Sequence, residues 1–192
     1  LRHRMPILGP RHPSRGASRS ASHGKKSAAV RIATPGARPE HIPTGDPCTI
    51  CRQAATAHRE IGPQRVDEVI REVVELMEPM ARQGRIRIEF RATDGLPTVE
   101  ADREELVRLF NNLVSNAIKY NRPEGRVDIR AEPDGPYVRI SVADTGVGIG
   151  PEGQARLFSE FLREKKAETR HITGTGLGLN IVKRIVDFYH GR

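Results

Sequence analysis

The sequence lacks tryptophan and has only two cysteines and eight phenylalanines and tyrosines among its 192 residues. No apolar run approaches the roughly 18 residues that a transmembrane helix needs, so no membrane segment is expected in this chain. Two cysteines cannot build a disulfide scaffold, and the charge-balanced C-terminal part of the chain favours a reducing, cytoplasmic environment. These scarcities exclude membrane-spanning and disulfide-stabilised classes of protein.

Charge and proline are distributed unevenly along the chain. Residues 1–62 contain eleven Lys and Arg against three Asp and Glu, and seven of the fourteen prolines, but no aromatic residue. Residues 63–192 contain 21 residues of each charge and all the aromatic side chains. Because residues 1–62 lack the apolar material for a core, we expect a disordered basic segment or linker there. Residues 63–192 have enough for one folded domain.

The basic segment allows three further interpretations. Its positive charge could mark a nucleic-acid-binding arm, but the charge is confined to the part without a predicted core, so no nucleic-acid partner is expected. Its Arg- and Ser-rich start could be a transit peptide, but it shows no clear amphipathic stripe. Cys48 and Cys51 have the spacing of half a zinc site or of a redox motif. No second such pair follows, which favours two ordinary thiols.

After residue 62 the apolar pattern indicates helices. Apolar residues recur at three and four positions from Val66 to Met80, which predicts a helix that ends at Gly84. A second helix begins at Asp102, the predicted N-cap, and Glu105 three residues later completes a capping box. The core face of this second helix is expected to consist of Leu106, Leu109, Phe110, Leu113, Val114, Ala117 and Ile118.

Alternating apolar and polar residues predict strands over 86–90, 127–131 and 138–142. The turn sequence Pro133-Asp134-Gly135 joins the last two into an antiparallel hairpin. A short helix over 151–161 and a final helix over 177–190 complete the pattern. The fold class is therefore α+β, with helices on one face of a mainly antiparallel sheet.

The second helix carries a polar stripe opposite its core face. Asn112 and Asn116 are four residues apart, with Lys119 and Tyr120 one turn further, so all four can line one side. Carboxamide oxygens suit Mg²⁺, and a lysine beside them suits phosphate. The alternative is that the two asparagines are ordinary polar surface residues.

Asp144 continues the phase of the strand over 138–142 and is predicted to point to the same buried side. A buried carboxylate without a partner is costly, and Gly146 and Gly148 directly after it allow a backbone or a ligand to approach closely. We hypothesise that Asp144 accepts a hydrogen bond from a ligand amine, such as the adenine amino group. The alternative is a strand-end aspartate that caps a turn.

A second glycine-rich segment, from Gly174 to Gly178, precedes the final helix. Glycines at a helix N-terminus expose backbone N–H groups to phosphate. The segment is not a Walker loop, because no Lys-Ser/Thr follows it. The polar stretch 163–173 before it is interpreted as a lid over phosphates, with a plain surface loop as the alternative.

Four motifs together resemble, in order and spacing, the nucleotide-binding boxes of sensor histidine kinases. The run Asn112-Asn-Leu-Val-Ser-Asn116-Ala-Ile-Lys119-Tyr120 is similar to the N box, and Asp144-Thr-Gly146-Val-Gly148-Ile149 to the first glycine box. Phe158 and Phe161 resemble the F box, and Gly174-Thr175-Gly176-Leu177-Gly178-Leu the second glycine box. The resemblance covers residues 64–192.

The resemblance implies a Bergerat-type ATP-binding domain, a two-layer α/β sandwich shared with gyrase, MutL and the heat-shock chaperone ATPases. It implies that Asn116 coordinates Mg²⁺, that Asn112 supports the metal and phosphates, and that Asp144 binds adenine. Lys119 and Tyr120 would contact phosphate and ribose or base, and catalysis would depend on Asn112, Asn116 and Lys119. The remaining ATP-binding positions implied are Gly146, Gly148, Ile149, Phe158, Thr173, Gly174, Thr175, Gly176, Leu177 and Gly178.

Position 112 separates two activities within this superfamily. The hydrolytic members resemble Glu-x-x-x-Asn, in which the glutamate activates water, whereas this sequence has Asn112, which cannot act as a base. Transfer of the ATP γ-phosphoryl group to a protein histidine is therefore the favoured function. The alternatives are another ATPase or anti-sigma serine kinase of the superfamily, and a non-catalytic nucleotide-binding or docking module.

Two parts of such a kinase are not found in the sequence. The phosphoacceptor helical hairpin has no match in residues 1–62, so the acceptor is expected in cis outside this chain or in trans. The chain stops at Arg192, where the family continues into two further strands, so a truncated domain with a bare sheet edge is expected. The implied partners are a response regulator receiver domain and, in the whole kinase, a second copy in a homodimer.

Overall fold

The computed structural model of the chain describes residues 26–36, 59–150 and 177–192. These residues form six strands and three helices. The strands are β1 (Lys26–Ala33), β2 (Ile61–Gln64), β3 (Arg87–Ala92), β4 (Val99–Asp102), β5 (Arg126–Asp134) and β6 (Tyr137–Asp144). The helices are α1 (Val66–Gln83), α2 (Arg103–Lys119) and α3 (Gly178–Phe188). Among the described residues, no helix is long and apolar enough to cross a membrane.

The main sheet has the strand order β1-β6-β5-β3, and β2 pairs with β4 in a separate two-stranded sheet. β5 and β6 form the predicted antiparallel hairpin, whose turn brings Asp134 opposite Tyr137. β3 lies parallel to β5, and all the other strand pairs are antiparallel. The predicted α+β class with a mixed, mostly antiparallel sheet is confirmed.

The core lies between the helices and one face of the main sheet. Ile129 of β5 and Ile140 of β6 are almost fully buried, whereas Arg130 and Arg139 beside them are exposed on the opposite face. The buried residues of α2 are the seven predicted from its spacing: Leu106, Leu109, Phe110, Leu113, Val114, Ala117 and Ile118. Burying apolar area of this kind contributes about 25 cal/mol per Å².

Residues 26–33 differ from the linker expected over 1–62. They form β1, which pairs antiparallel with β6 along its whole length, and Val30 and Ile32 are 5% and 1% exposed in the core. The edge of β6 is therefore covered, contrary to the expected bare edge. On the outer side of β1, Arg31 and Arg192 exchange two backbone hydrogen bonds of 2.8 and 3.0 Å between N and O.

The N-terminus of α2 shows half of the predicted capping box. Asp102 is the N-cap, and its Oδ1 accepts the Glu105 N–H at 3.1 Å. The Glu105 carboxylate does not return to the Asp102 N–H. It accepts the Tyr189 hydroxyl at 2.6 Å, and that hydroxyl accepts the Asp102 N–H at 3.0 Å. The Tyr189 hydroxyl, just after α3, thus accepts the Asp102 N–H in place of the Glu105 carboxylate of a complete capping box.

The same cap ties residues 59 and 60 to α2. Asp102 Oδ2 accepts the Glu60 N–H at 2.8 Å, and Glu105 accepts Arg59 Nε at 2.8 Å. Burial raises the pKa of Asp102, but backbone hydrogen bonds from Glu60 and Glu105 outweigh burial and leave the pKa below its ordinary value. Burial and the Glu105 hydrogen bond raise the pKa of Tyr189, so its hydroxyl stays protonated at neutral pH.

Acid is expected to weaken this cap. Because the pKa of Asp102 is lower in the folded chain, its carboxylate stabilises the fold above the ordinary aspartate pKa and loses that contribution as pH falls below about 5. In Asp102→Asn, which keeps an N-cap oxygen but cannot accept the Glu60 N–H, the free energy of unfolding at pH 7 should fall by about 1–3 kcal/mol. The difference from wild type should shrink on acidification in denaturant titrations. The exposed turn residue Asp94, changed to asparagine, is the control, and parallel pH profiles for wild type and Asp102→Asn would contradict the prediction.

Candidate nucleotide-binding site

Asn112 and Asn116 lie where α2 meets the first residue of α3. Asn112 Nδ2 donates to the Arg108 carbonyl at 2.7 Å, which leaves Oδ1 directed at Gly178. A Cβ at Gly178 would lie 2.8 Å from Asn112 Oδ1 and 3.5 Å from Asn116 Nδ2. Glycine at this position therefore allows the close approach, and the structure brings together two of the motifs recognised in the sequence.

The N-terminus of α3 has the electrostatic character of an anion site. Its N-cap residue Leu177 makes no side-chain hydrogen bond to the helix, and the first turn carries no acidic residue. The positive end of a helix dipole favours an anion, and backbone N–H groups there point at the ligand. This end of α3 lies beside the two amides of α2.

Lys119 is exposed and, with Asn112, lines an open groove of about 440 Å³ between α1 and α2. Arg108 and Glu104 also line the groove, so two cations and one carboxylate are its charged side chains. The other lining residues are Met77, Met80, Val107, Asn111 and Ser115. The polar stripe predicted on α2 is thus divided, with Asn112 shared between the groove and the α3 junction.

The segment after β6 packs against the end of α2. The Tyr120 carbonyl accepts the Val147 N–H at 3.0 Å. A Cβ at Gly146 would overlap that carbonyl oxygen and would lie 2.9 Å from the Tyr120 carbonyl carbon. Gly148 has a φ of 61°, in the left-handed region that glycine adopts without strain. The close approach predicted at the first glycine box is therefore made by the backbone of α2.

Asp144 is partly buried rather than fully buried as predicted, since it stands at the last position of β6. Its Oδ1 accepts the Gly146 N–H at 2.8 Å, so the turn-capping interpretation is observed. A carboxylate has about four acceptor sites, so accepting the Gly146 N–H does not by itself exclude a ligand amine. Ile149, five residues further, is 37% exposed.

Two residues that the sequence analysis missed connect these parts. Asn121, just after α2, and Thr145, just after Asp144, hydrogen-bond to each other through Thr145 Oγ1 and Asn121 Oδ1 at 3.0 Å. The signal available in the sequence was only that Asn and Thr favour turns. That signal does not specify a partner 24 residues away.

Several predicted residues lie outside the described part of the chain. They are Phe158, Phe161, Thr173, Gly174, Thr175 and Gly176, the lid 163–173, and Cys48 and Cys51.

The amides of α2 are compatible with a magnesium–nucleotide complex. Within the described residues there is no group of three His, Cys, Asp or Glu that could hold a metal ion. Mg²⁺ typically keeps several waters and binds one or two protein oxygens together with substrate phosphates. Asn112 Oδ1 lies beside an anion-favouring helix end and can supply one such oxygen, and the Asn116 amide lies next to it with Nδ2 nearest to Gly178.

Comparison with protein-family models gives a match to residues 101–192. The matching family is described as histidine kinase-, DNA gyrase B- and HSP90-like ATPase. Among curated proteins, the circadian input-output histidine kinase CikA of Synechococcus elongatus is 30% identical over 141 residues, which are 72% of this chain and 19% of CikA. The sensor protein kinase WalK of Staphylococcus haemolyticus is 40% identical over 95 residues, 48% of this chain and 16% of WalK. The chain thus spans less than a fifth of the length of either relative.

Solved structures of histidine kinases share the fold. Full-length ShkA in complex with AMPPNP superposes with a TM-score of 0.60 at 36% identity, covering 71% of this chain and 28% of ShkA. The catalytic domain of ThkA gives 0.59 at 34% identity, covering 68% of this chain and 82% of that domain. ThkA in complex with the response regulator protein TrrA gives 0.50 at 31% identity, covering 60% of this chain and 36% of ThkA.

Proposed function

The chain belongs to the family of histidine kinase-, DNA gyrase B- and HSP90-like ATPases, and we propose that it is the ATP-binding catalytic domain of a two-component sensor histidine kinase. One observation carries this proposal. A single helix, α2, contacts the N-terminus of α3 through Asn112 and Asn116, and contacts the Asp144 segment through Tyr120. A nucleotide can therefore be held at both ends by groups fixed to one rigid element.

The two ends of the site suit different parts of ATP. At the Asp144 end, the carboxylate accepts the adenine amino group, and Gly146 keeps the wall of this pocket close to α2. At the α3 end, backbone N–H groups and the two amides would contact the phosphates, and Lys119, which lines the groove between α1 and α2, would approach them from that side. Mg²⁺, held by Asn116 with support from Asn112, would neutralise phosphate charge. The predicted contacts of residues 173–176 add to this end.

Asn112 favours phosphoryl transfer over hydrolysis. Its amide nitrogen is committed to the Arg108 carbonyl, and a carboxamide has no basic group with which to take a proton from water. The residue can orient and stabilise charge but cannot activate a nucleophilic water. The γ-phosphoryl group is therefore passed to a protein histidine, whose imidazole nitrogen is itself the nucleophile.

The remaining partners follow from this function. The acceptor histidine lies on a helical hairpin supplied in cis or in trans, and the phosphoryl group passes from it to a response regulator receiver domain. The complex of ThkA with TrrA supports a partner of that class. A cytoplasmic location and a homodimeric whole kinase are part of the same proposal.

Calorimetric titration of Mg-ATP into residues 1–192 tests the proposal. In Asp144→Asn the side-chain oxygen can still accept the Gly146 N–H, but the carboxylate that would receive the adenine amino group is lost. Hydrogen bonds to charged groups contribute about 1.5–3 kcal/mol, so the affinity should fall between about tenfold and about a hundredfold. Asp134→Asn, at the far end of the same hairpin, should bind as wild type does.

Two results would contradict the proposal. One is the absence of Mg-ATP binding by well-folded wild-type protein. The other is Asp144→Asn with wild-type affinity. Phosphoryl transfer is checked by adding a purified acceptor hairpin and measuring the acid stability of the phosphorylated product. Phosphohistidine is acid-labile, whereas phosphoserine is not.

A further inference from the structure

Asn121 is the meeting point of three elements. Its Nδ2 donates to the Ala117 carbonyl of α2 at 3.0 Å and to the Arg126 carbonyl of β5 at 3.2 Å. Its Oδ1 accepts the Arg122 N–H at 3.0 Å and the Thr145 hydroxyl at 3.0 Å. These contacts determine the orientation of the Asn121 amide. Exchanging its oxygen and nitrogen would place the oxygen against two carbonyl acceptors and the nitrogen against the Arg122 N–H donor.

Thr145 completes the connection from the other side. Its hydroxyl accepts the Arg126 N–H at 2.9 Å while donating to Asn121, and its own N–H donates to the Arg126 carbonyl at 3.1 Å. Gly125 leaves the room for this arrangement, since a Cβ there would overlap Asn121 Oδ1. The Thr145 hydroxyl thus both donates and accepts within the network, and the Asn121 amide makes four hydrogen bonds there. Both residues are partly buried.

The network flanks the segment that carries the adenine-binding group. Thr145 stands between Asp144 and Gly146, and Asn121 follows Tyr120, whose carbonyl holds the Val147 N–H. We infer that the Asn121–Thr145 pair is a positioning element, which fixes the 144–147 segment on the end of α2 in the arrangement that binds nucleotide. This inference rests on the proposed nucleotide-binding function. Neither residue is assigned a contact with ATP.

The test compares hydroxyl removal with hydroxyl retention at position 145. In Thr145→Val, which keeps the side-chain shape, the Kd for Mg-ATP should rise about tenfold, whereas Thr145→Ser should stay within about twofold of wild type. Thr34→Val is the matched control, because Thr34 Oγ1 donates to the Pro136 carbonyl at 3.0 Å at the opposite end of β6. The control should not change the affinity.

The pair itself is tested by a double-mutant cycle. Asn121→Ala combined with Thr145→Val should weaken binding by less than the product of the two single effects, because either change alone breaks the shared contact. Full independence of the two effects would overturn the inference. So would wild-type affinity in Thr145→Val, or an equal loss in Thr34→Val.

A measurement without nucleotide separates this inference from the proposed function. Hydrogen exchange of the Val147 amide reports its bond to the Tyr120 carbonyl, and it should speed up at least about tenfold in Thr145→Val but not in Thr145→Ser. Amides in the middle of β6 should exchange as in wild type. If wild-type protein fails to bind ATP, the proposed function is wrong, but unchanged Val147 exchange is what would overturn the positioning role.

Discussion

Gly146→Ala is expected to lower the affinity for Mg-ATP by about tenfold to a hundredfold, because a displaced Asp144 loses a hydrogen bond to a charged group, which contributes about 1.5–3 kcal/mol. The added Cβ would overlap the Tyr120 carbonyl oxygen and lie 2.8 Å from Asp144 Oδ1. The oxygen of Tyr120 belongs to the backbone at the end of α2, so it cannot rotate away as a side chain would. The segment after β6 must move instead, and Asp144 moves with it.

The same substitution should have only a modest effect on the stability of the fold. Overpacking of this kind typically destabilises by about 1–3 kcal/mol, a change that thermal unfolding detects while the protein remains folded at room temperature. Gly62→Ala is the control, because no atom lies within 4 Å of a Cβ built there. It should leave both affinity and stability near those of wild type. A Gly146→Ala protein that binds Mg-ATP normally would show that the segment does not form the adenine pocket.

The α2 helix illustrates what the sequence could predict. Its seven buried residues follow from apolar spacing alone, because one helix face must be buried and each member is set by its neighbours three and four positions away. The polar positions Asn112 and Asn116 follow from the same geometry. Their approach to Gly178 does not, since it depends on how α3 packs across α2.

The residues that were missed depend on contacts distant in sequence. Tyr189 lies 84 residues from Glu105, so nothing near the predicted capping box indicated that a hydroxyl would complete it. Thr145 and Asn121 are each ordinary turn residues, and their hydrogen bond exists only because β6 returns to the end of α2. Local patterns identified the segments of the site, whereas the contacts that hold the segments together required the fold.

β1 was missed for a different reason. Composition averaged over 62 residues is basic and rich in proline, and it conceals an eight-residue strand that contains three alanines and only two large apolar residues. Its partner, β6, lies more than 100 residues further along the chain. The strand is specified by Val30 and Ile32 fitting beside Ile140 and Val138, which no local pattern could indicate.

Ile32→Ala is expected to lower the free energy of unfolding by about 2–5 kcal/mol, because Ile32 is 1% exposed and its removal leaves a cavity in the core. A loss of this size is a large fraction of the total free energy of unfolding of a domain, which is roughly 5–15 kcal/mol. The midpoint of denaturant unfolding should therefore fall markedly. Circular dichroism in a urea titration measures this change. The expected result would show that residues 26–33 belong to the cooperative folding unit.

The matched control is Ile61→Ala, the same chemical change on β2 at a side chain that is 53% exposed. Ile61→Ala should lower the free energy of unfolding by well under half as much as Ile32→Ala does. The exposed side chain buries far less apolar area on folding, and its removal forms no closed cavity. If Ile32→Ala were as mild as Ile61→Ala, β1 would not contribute to the core. β6 would then be the edge strand, and the folded domain would begin near residue 63. A large difference between the two variants means instead that a strand from the basic segment covers β6 and stabilises the same sheet that positions Asp144.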